Sequence, residues 1–227
     1  MRRALMTILS LVAAGLSACI PYAVGTTATP AAERETTLSA TAMPSIALFD
    51  STGGRSWLSV DAETRFPIDA RSDAGFRVVG GSGVVVNYKR LLTDSAARMR
   101  VAVMPGFGFV NFASHAHFEA TLLVSGYEPM GAATRVEHGS QFVPYGGLRV
   151  MQVAPLSPDA VHDTPTAGGF LGLRIGSPEF GISPEVGVFY DHSALGVRKG
   201  NMVVVPSLNF HGDELIRILR QGLRGAH

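Results

Sequence analysis

The chain has one cysteine, Cys19, among 227 residues. It therefore forms no internal disulfide, and a stapled scaffold or a cysteine-built metal site is excluded. Charge is scarce as well: Asp, Glu, Lys and Arg together make up 16% of the residues, 19 basic against 18 acidic. A chain with a basic surplus of only one lacks the electrostatic footprint of a nucleic-acid binder, and no nucleic-acid partner is expected. No apolar run is long enough to cross a bilayer as a helix, since the longest, Leu5 to Leu16, falls well short of the span required. Helical periodicity is missing until Asp213. Stability must then come from a β core, or from a membrane that strands can cross.

The short apolar run is instructive in its setting. Arg2 and Arg3 precede it and Leu16-Ser17-Ala18-Cys19 closes it, the order of an export signal. This resembles the lipobox of bacterial lipoproteins. The resemblance implies cleavage of residues 1–18 and acylation of Cys19, which becomes a lipid-anchored first residue; Ile20 in place of an aspartate implies the outer membrane as its destination. Losing Arg2 and Arg3 with the leader leaves 17 basic residues against the 18 acidic ones.

After Cys19 the stretch from residue 20 to 42, IPYAVGTTATPAAERETTLSATA, is rich in Ala, Thr and Pro and has no repeating apolar face. Residues 19–44 read as a flexible tether. From Met43 onward, short runs of Val, Leu, Phe and Gly are broken by Gly, Pro, Asp and Ser, which predicts an all-β body over 45–211.

Along those runs two chemistries alternate. Between 99 and 110 one set is Met99, Val101, Val103, Pro105, Phe107 and Phe109; the other is Arg100, Ala102, Met104, Gly106, Gly108 and Val110. Phe118, Ala120, Leu122 and Val124 likewise oppose His117, Glu119, Thr121, Ser125 and Tyr127, and comparable divisions recur over 168–176, 180–190 and 202–210. A soluble sandwich turns a broadly charged face to water. Here the polar face carries only isolated charges, Arg77, Lys89, Arg100, Glu119, Arg149, Arg174 and Glu185, among small residues. That is the expectation for a charge network inside a narrow lumen, with the apolar face turned to lipid.

Ten strand candidates follow: 45–50, 56–66, 74–80, 84–92, 99–110, 117–127, 142–153, 168–176, 180–190 and 202–210. The fold class expected is a single antiparallel transmembrane-type β-barrel of about 8–10 strands, with an even strand number. Segments MPGFGF, VPYGGLRV, GGFLGLRIG, SPEVGVFY and VVVPSLNF make this body resemble the small outer-membrane β-barrel proteins of Gram-negative bacteria. In that family the last strand commonly ends on an aromatic residue, the role that falls to Phe210; this chain continues past it. With both termini periplasmic, 154–167 and 191–200 become outer loops and Ser177-Pro178-Glu179 a periplasmic turn. Pro105, Pro144, Pro184 and Pro206 are expected to mark bulges or strand entries, because proline cannot donate to a ladder.

Residues 212–227 read as a short amphipathic helical tail, with Leu215, Ile216, Leu219 and Leu223 on one stripe. No cofactor or metal is expected: His115 and His117 share a strand face but lack companions. The favoured function is a non-enzymatic outer-membrane barrel lipoprotein, serving as envelope scaffold, surface module or very narrow pore, with membrane lipid as its partner. A soluble periplasmic lipocalin-like or sandwich lipoprotein, its apolar faces converging on one ligand cavity, is the alternative. A barrel hydrolase using a loop histidine, His192 beside Asp191 or His162 beside Asp163, is the third.

Overall fold

The structure, a computed structural model, describes residues 21–43, 57–128, 141–156, 165–177, 180–191 and 201–212. Ten strands run through them: β1 (Glu35–Met43), β2 (Trp57–Asp69), β3 (Ser72–Val79), β4 (Gly83–Leu91), β5 (Met99–Val110), β6 (His115–Gly126), β7 (Gln141–Pro155), β8 (Thr166–Gly176), β9 (Gly181–Asp191) and β10 (Asn201–His211). Each pairs antiparallel with its neighbours in sequence, and β1 pairs with β10, so the sheet closes into a barrel without a free edge. Closure satisfies every strand on both sides and removes the edge that would otherwise recruit another chain. One end of the barrel, the base, carries the start of β1, the end of β10 and the β2–β3, β4–β5, β6–β7 and β8–β9 connections. The other end, the top, carries the remaining five.

The expected strand number is met, but the first strand is not the expected one. Candidate 45–50 lies outside the described residues, and β1 is instead ETTLSATAM, drawn from the supposed tether. Its inward side is Thr37, Ser39 and Thr41, all buried, and its outward side holds Leu38, Ala40 and Ala42. Such small residues raise no apolar signal. The strand is held by its ladders, nine residue pairs to β2 and five to β10. No helix occurs among the described residues, and the tail from Asp213 lies outside them.

The two faces fall inside out. Phe107, Phe109, Phe118, Leu122, Leu148 and Leu171 all point outward and are exposed, Leu171 to 70%. Their neighbours Ala102, Met104, Val110, His117, Glu119 and Leu123 are buried inside. The large apolar faces therefore do not converge on one cavity, which contradicts the lipocalin-like alternative. Tyr127 departs from its expected inward set: it lies beyond the end of β6, is exposed, and stacks 4.9 Å from the Arg100 guanidinium.

The four prolines do not make bulges. Pro105 pairs in register with Ala120, Pro144 with Leu173, Pro184 with Leu208 and Pro206 with Val186. On its other side each lies where pairing lapses or ends. The β4–β5 ladder skips from Asn87–Gly106 to Arg90–Val103, and the β8–β9 ladder from Gly172–Glu185 to Ile175–Ile182. The β6–β7 and β1–β10 ladders stop at Ser125–Tyr145 and Thr41–Ser207. The missing N–H thus costs a rung on one side while the register survives on the other. The register shift of β2 against β3 falls elsewhere, between Pro67 and Asp69.

Candidate functional site

The lumen is the site. Alternation on each strand turns every second side chain inward, and among the described residues this buries six cations, Arg65, Arg77, Lys89, Arg100, Arg149 and Arg174, with the carboxylates Asp61, Glu63, Asp73, Glu119 and Glu185, joined by buried Glu128 just past β6. Balance is a physical requirement there, because an unpaired charge in a confined interior carries a desolvation cost of several kcal/mol. Glu63 is shared by Arg65 and Arg77 and also accepts from Asn87 Nδ2 at 3.0 Å. Asp73 takes Arg65 and, at 3.2 Å, Lys89. Glu119 takes Arg149 and the His117 ring at 2.9 Å. Arg174 meets Glu35 at 2.9 Å. Glycine makes room for this density: a Cβ on Gly75 would stand 2.4 Å from Glu63 Oε1, and one on Gly172 2.4 Å from the Tyr145 ring.

All seven residues singled out from sequence are buried on the inward face, but five of them, Arg77, Lys89, Arg100, Arg149 and Glu185, also serve a purpose the sequence did not suggest. Residues 21–34 run through the lumen, and the strand side chains hold their main chain. Glu185 accepts the Val24 and Gly25 N–H groups at 2.8 and 2.9 Å and the Tyr145 hydroxyl at 2.9 Å. Lys89 donates to the carbonyls of Thr27 and Thr29 at 3.1 and 2.8 Å. Arg77 reaches the carbonyls of Ala23 and Val24, and Arg149 those of Tyr22 and Ala23. Arg100 reaches Thr29 Oγ1 at 2.8 Å and the Glu128 carbonyl. Asp73 accepts the Ala31 N–H at 2.6 Å.

The segment also packs. Tyr22 sits edge-on to Phe189, 5.1 Å between centroids, among Val110, Met151, Val153, Val203 and Val205 at the top. Val24 and Ala28 join Ala102, Met104, Leu123, Tyr145 and Phe170 lower down. Gly25 takes a left-handed turn, φ +62°, with Asn209 so close that a Cβ would lie 2.9 Å from its Oδ1. Glycine alone fits there without strain. Glu33 and Arg34 emerge at the base and the chain turns into β1. The expected tether over 19–44 is thus corrected: over 21–34 it is the barrel's filling. An extended strip of small residues fits a lumen too narrow for anything bulkier.

Sequence reading missed Asp61, Glu63, Arg65, Asp73 and Glu128. On β2 the signal was present as Ser59, Asp61, Glu63 and Arg65 at a spacing of two, facing away from Leu58, Val60 and Phe66. It also missed a polar chain across the β9–β10–β1 seam. There Ser183 Oγ lies 2.7 Å from His211 Nε2, and His211 Nδ1 lies 3.0 Å from Thr37 Oγ1 and 3.5 Å from Glu35. The order resembles nucleophile, base and orienting acid, but both Ser183 and His211 are fully buried inside the barrel wall. His162, Asp163 and His192 lie outside the described residues, as does Cys19. Among the described residues no group of three or more His, Cys, Asp and Glu is arranged to hold a metal.

Closed antiparallel pairing, an apolar exterior and a charged interior together define a barrel of the transmembrane type. No family model matches the chain, and no curated protein matches it in sequence. Among solved structures it is similar to the outer membrane protein OprG from Pseudomonas aeruginosa, at 15% identity over 82% of this chain and 98% of that chain, with a TM-score of 0.29. A likeness at that score carries no functional argument, and the barrel class rests on the strand register and the two faces.

Proposed function

We propose that this chain is an outer-membrane barrel lipoprotein, non-enzymatic and non-conducting, that serves as an envelope scaffold or surface module. The observation that carries the reading is an apolar exterior wrapped around an interior already occupied by the chain's own residues 21–34. Exposed Phe107, Phe118, Leu148 and Leu171 suit hydrocarbon, whereas water would penalise a belt of that size. The filled lumen supports neither a general pore nor a ligand cavity. The sealed Ser183–His211 pair favours a structural over a hydrolytic role. The lipobox supplies the anchor at Cys19, with acylation as the expected modification.

The test has two arms. In vesicles, a fluorophore at position 109 or 208 is quenched by brominated lipid and the purified full-length chain gives no stable channel in planar bilayers. Absent quenching would overturn membrane embedding, and a wide stable channel would overturn the closed lumen. Separately, Cys19→Ser should abolish labelling by a fatty-acid probe; unchanged labelling would end the lipoprotein reading.

A further inference from the structure

The lumen segment has a direction, and the direction decides where the lipid goes. At the base, Thr26 to Ala31 are gripped by Lys89, Arg100, Ser125 and Asp73, residues near the base ends of β3, β4, β5 and β6. At the top, Tyr22 is enclosed by the top ends of β5, β7, β9 and β10. The chain therefore descends from top to base before turning at Glu33 and Arg34 into β1. The base half of the lumen is already filled by residues 24–31. Cys19 stands two residues before Pro21, a reach of at most about 7 Å. Tyr22, three residues after Cys19, lies at the top, whereas β10 ends at the base.

Resting on the lipoprotein reading above, we propose that acylated Cys19 emerges at the top of the barrel and inserts its acyl chains into the outer leaflet, across the membrane from the end of β10. A lipoprotein whose first residue stays in the periplasm anchors in the inner leaflet. This one is threaded through its own barrel and anchors on the cell surface. Three of the five top links, 44–56, 156–165 and 192–200, run to nine residues or more, against one of the four base links, 127–140, the distribution that goes with a periplasmic base. At the top, Phe112 is 82% exposed on a link whose Asn111, Phe112 and Ala113 all have positive φ. An apolar ring held out at that rim suits the lipid surface the acyl chains would enter.

The experiment compares sides of the membrane in intact cells. An epitope inserted between Ile20 and Pro21 is read by antibody before and after permeabilisation. A membrane-impermeant maleimide reads Phe112→Cys at the top and Ser95→Cys at the base, in a chain whose single native thiol is taken up by acylation. The expected result is that the epitope and Phe112→Cys react on intact cells, while Ser95→Cys reacts only after permeabilisation. An epitope that shares the behaviour of Ser95→Cys overturns the proposal. If the insertion abolishes the heat-dependent gel shift of the folded barrel, Ile20→Cys takes its place with the same two readings. Fatty-acid labelling is scored separately, so loss of the lipid reading and loss of the threading are distinct results.

Discussion

The outside and the inside of this barrel are built on opposite principles. Outside, Phe107, Phe118, Leu148 and Leu171 carry no charge or side-chain hydrogen bond for a partner to match, and their contacts are apolar ones such as Phe107 against Phe118, 5.2 Å between ring centroids. Inside, nearly every group is shared: Glu63 serves Arg65 and Arg77, Asp73 serves Arg65, Lys89 and the Ala31 N–H, and Glu119 serves Arg149 and His117. Exterior substitutions outside the Phe107–Phe109–Phe118 cluster should therefore add, whereas interior ones should couple. The difference teaches that the exterior sets where the protein resides and the interior sets which single arrangement it adopts there.

The comparison breaks most visibly at its hub. Glu63→Leu strips two buried arginines of their common carboxylate and should cost about 3–5 kcal/mol, read as a shift in urea unfolding in detergent micelles. A loss below about 1 kcal/mol would mean that the interior is wet enough to tolerate lone charges. On the opposite face, Val103→Arg should cost roughly 2–4 kcal/mol in vesicles, because a cation near the bilayer centre loses its hydration. Equal stability of the variant in lipid and in detergent would argue against a lipid-facing Val103. One residue away and inward, Ala102→Leu should cost about 1–3 kcal/mol by overpacking against Val24 and Ala28. It should also make residues 21–34 cleavable by protease; if unfolding shifts and cleavage does not appear, Ala102 is crowded by something other than the filling segment. The smallest effect belongs to the rim. Arg90→Ala removes an exposed pair with Asp69 at 3.0 Å and should cost no more than about 1 kcal/mol, further reduced by salt.

The sheet was legible because it repeats. Nine of the ten strands carry a period of two between large apolar and small or charged residues, and the seven charges placed in the lumen from that period are buried there. The period weakens where neither face needs bulk: Thr37, Ser39 and Thr41 line the lumen, and Ala40 and Ala42 face out with little side chain to signal it. Residues 21–34 were harder still. They are bound through their carbonyls and N–H groups, which every residue possesses, so their role leaves almost no trace in side-chain identity. What the segment needs from sequence is smallness, and a run of Ala, Gly and Thr reads equally as a linker. The partners of the charges were only partly readable for the same reason. Arg149 finds Glu119 as its chemistry suggests, while Glu185 and Lys89 answer to main chain.

The β1–β10 seam closes around a strip of the same chain, with only five residue pairs in its ladder. A ring that encircles its own leading end is a lasso, here tied by hydrogen bonds in place of a covalent link. Such a knot has a history as well as a shape. A terminus acylated as proposed would be too bulky to be drawn through a finished ring lined by Phe170 and Phe189. On that proposal residues 21–34 would lie in place while the sheet is still an open ribbon, and β10, made last, would be the strand that ties it shut.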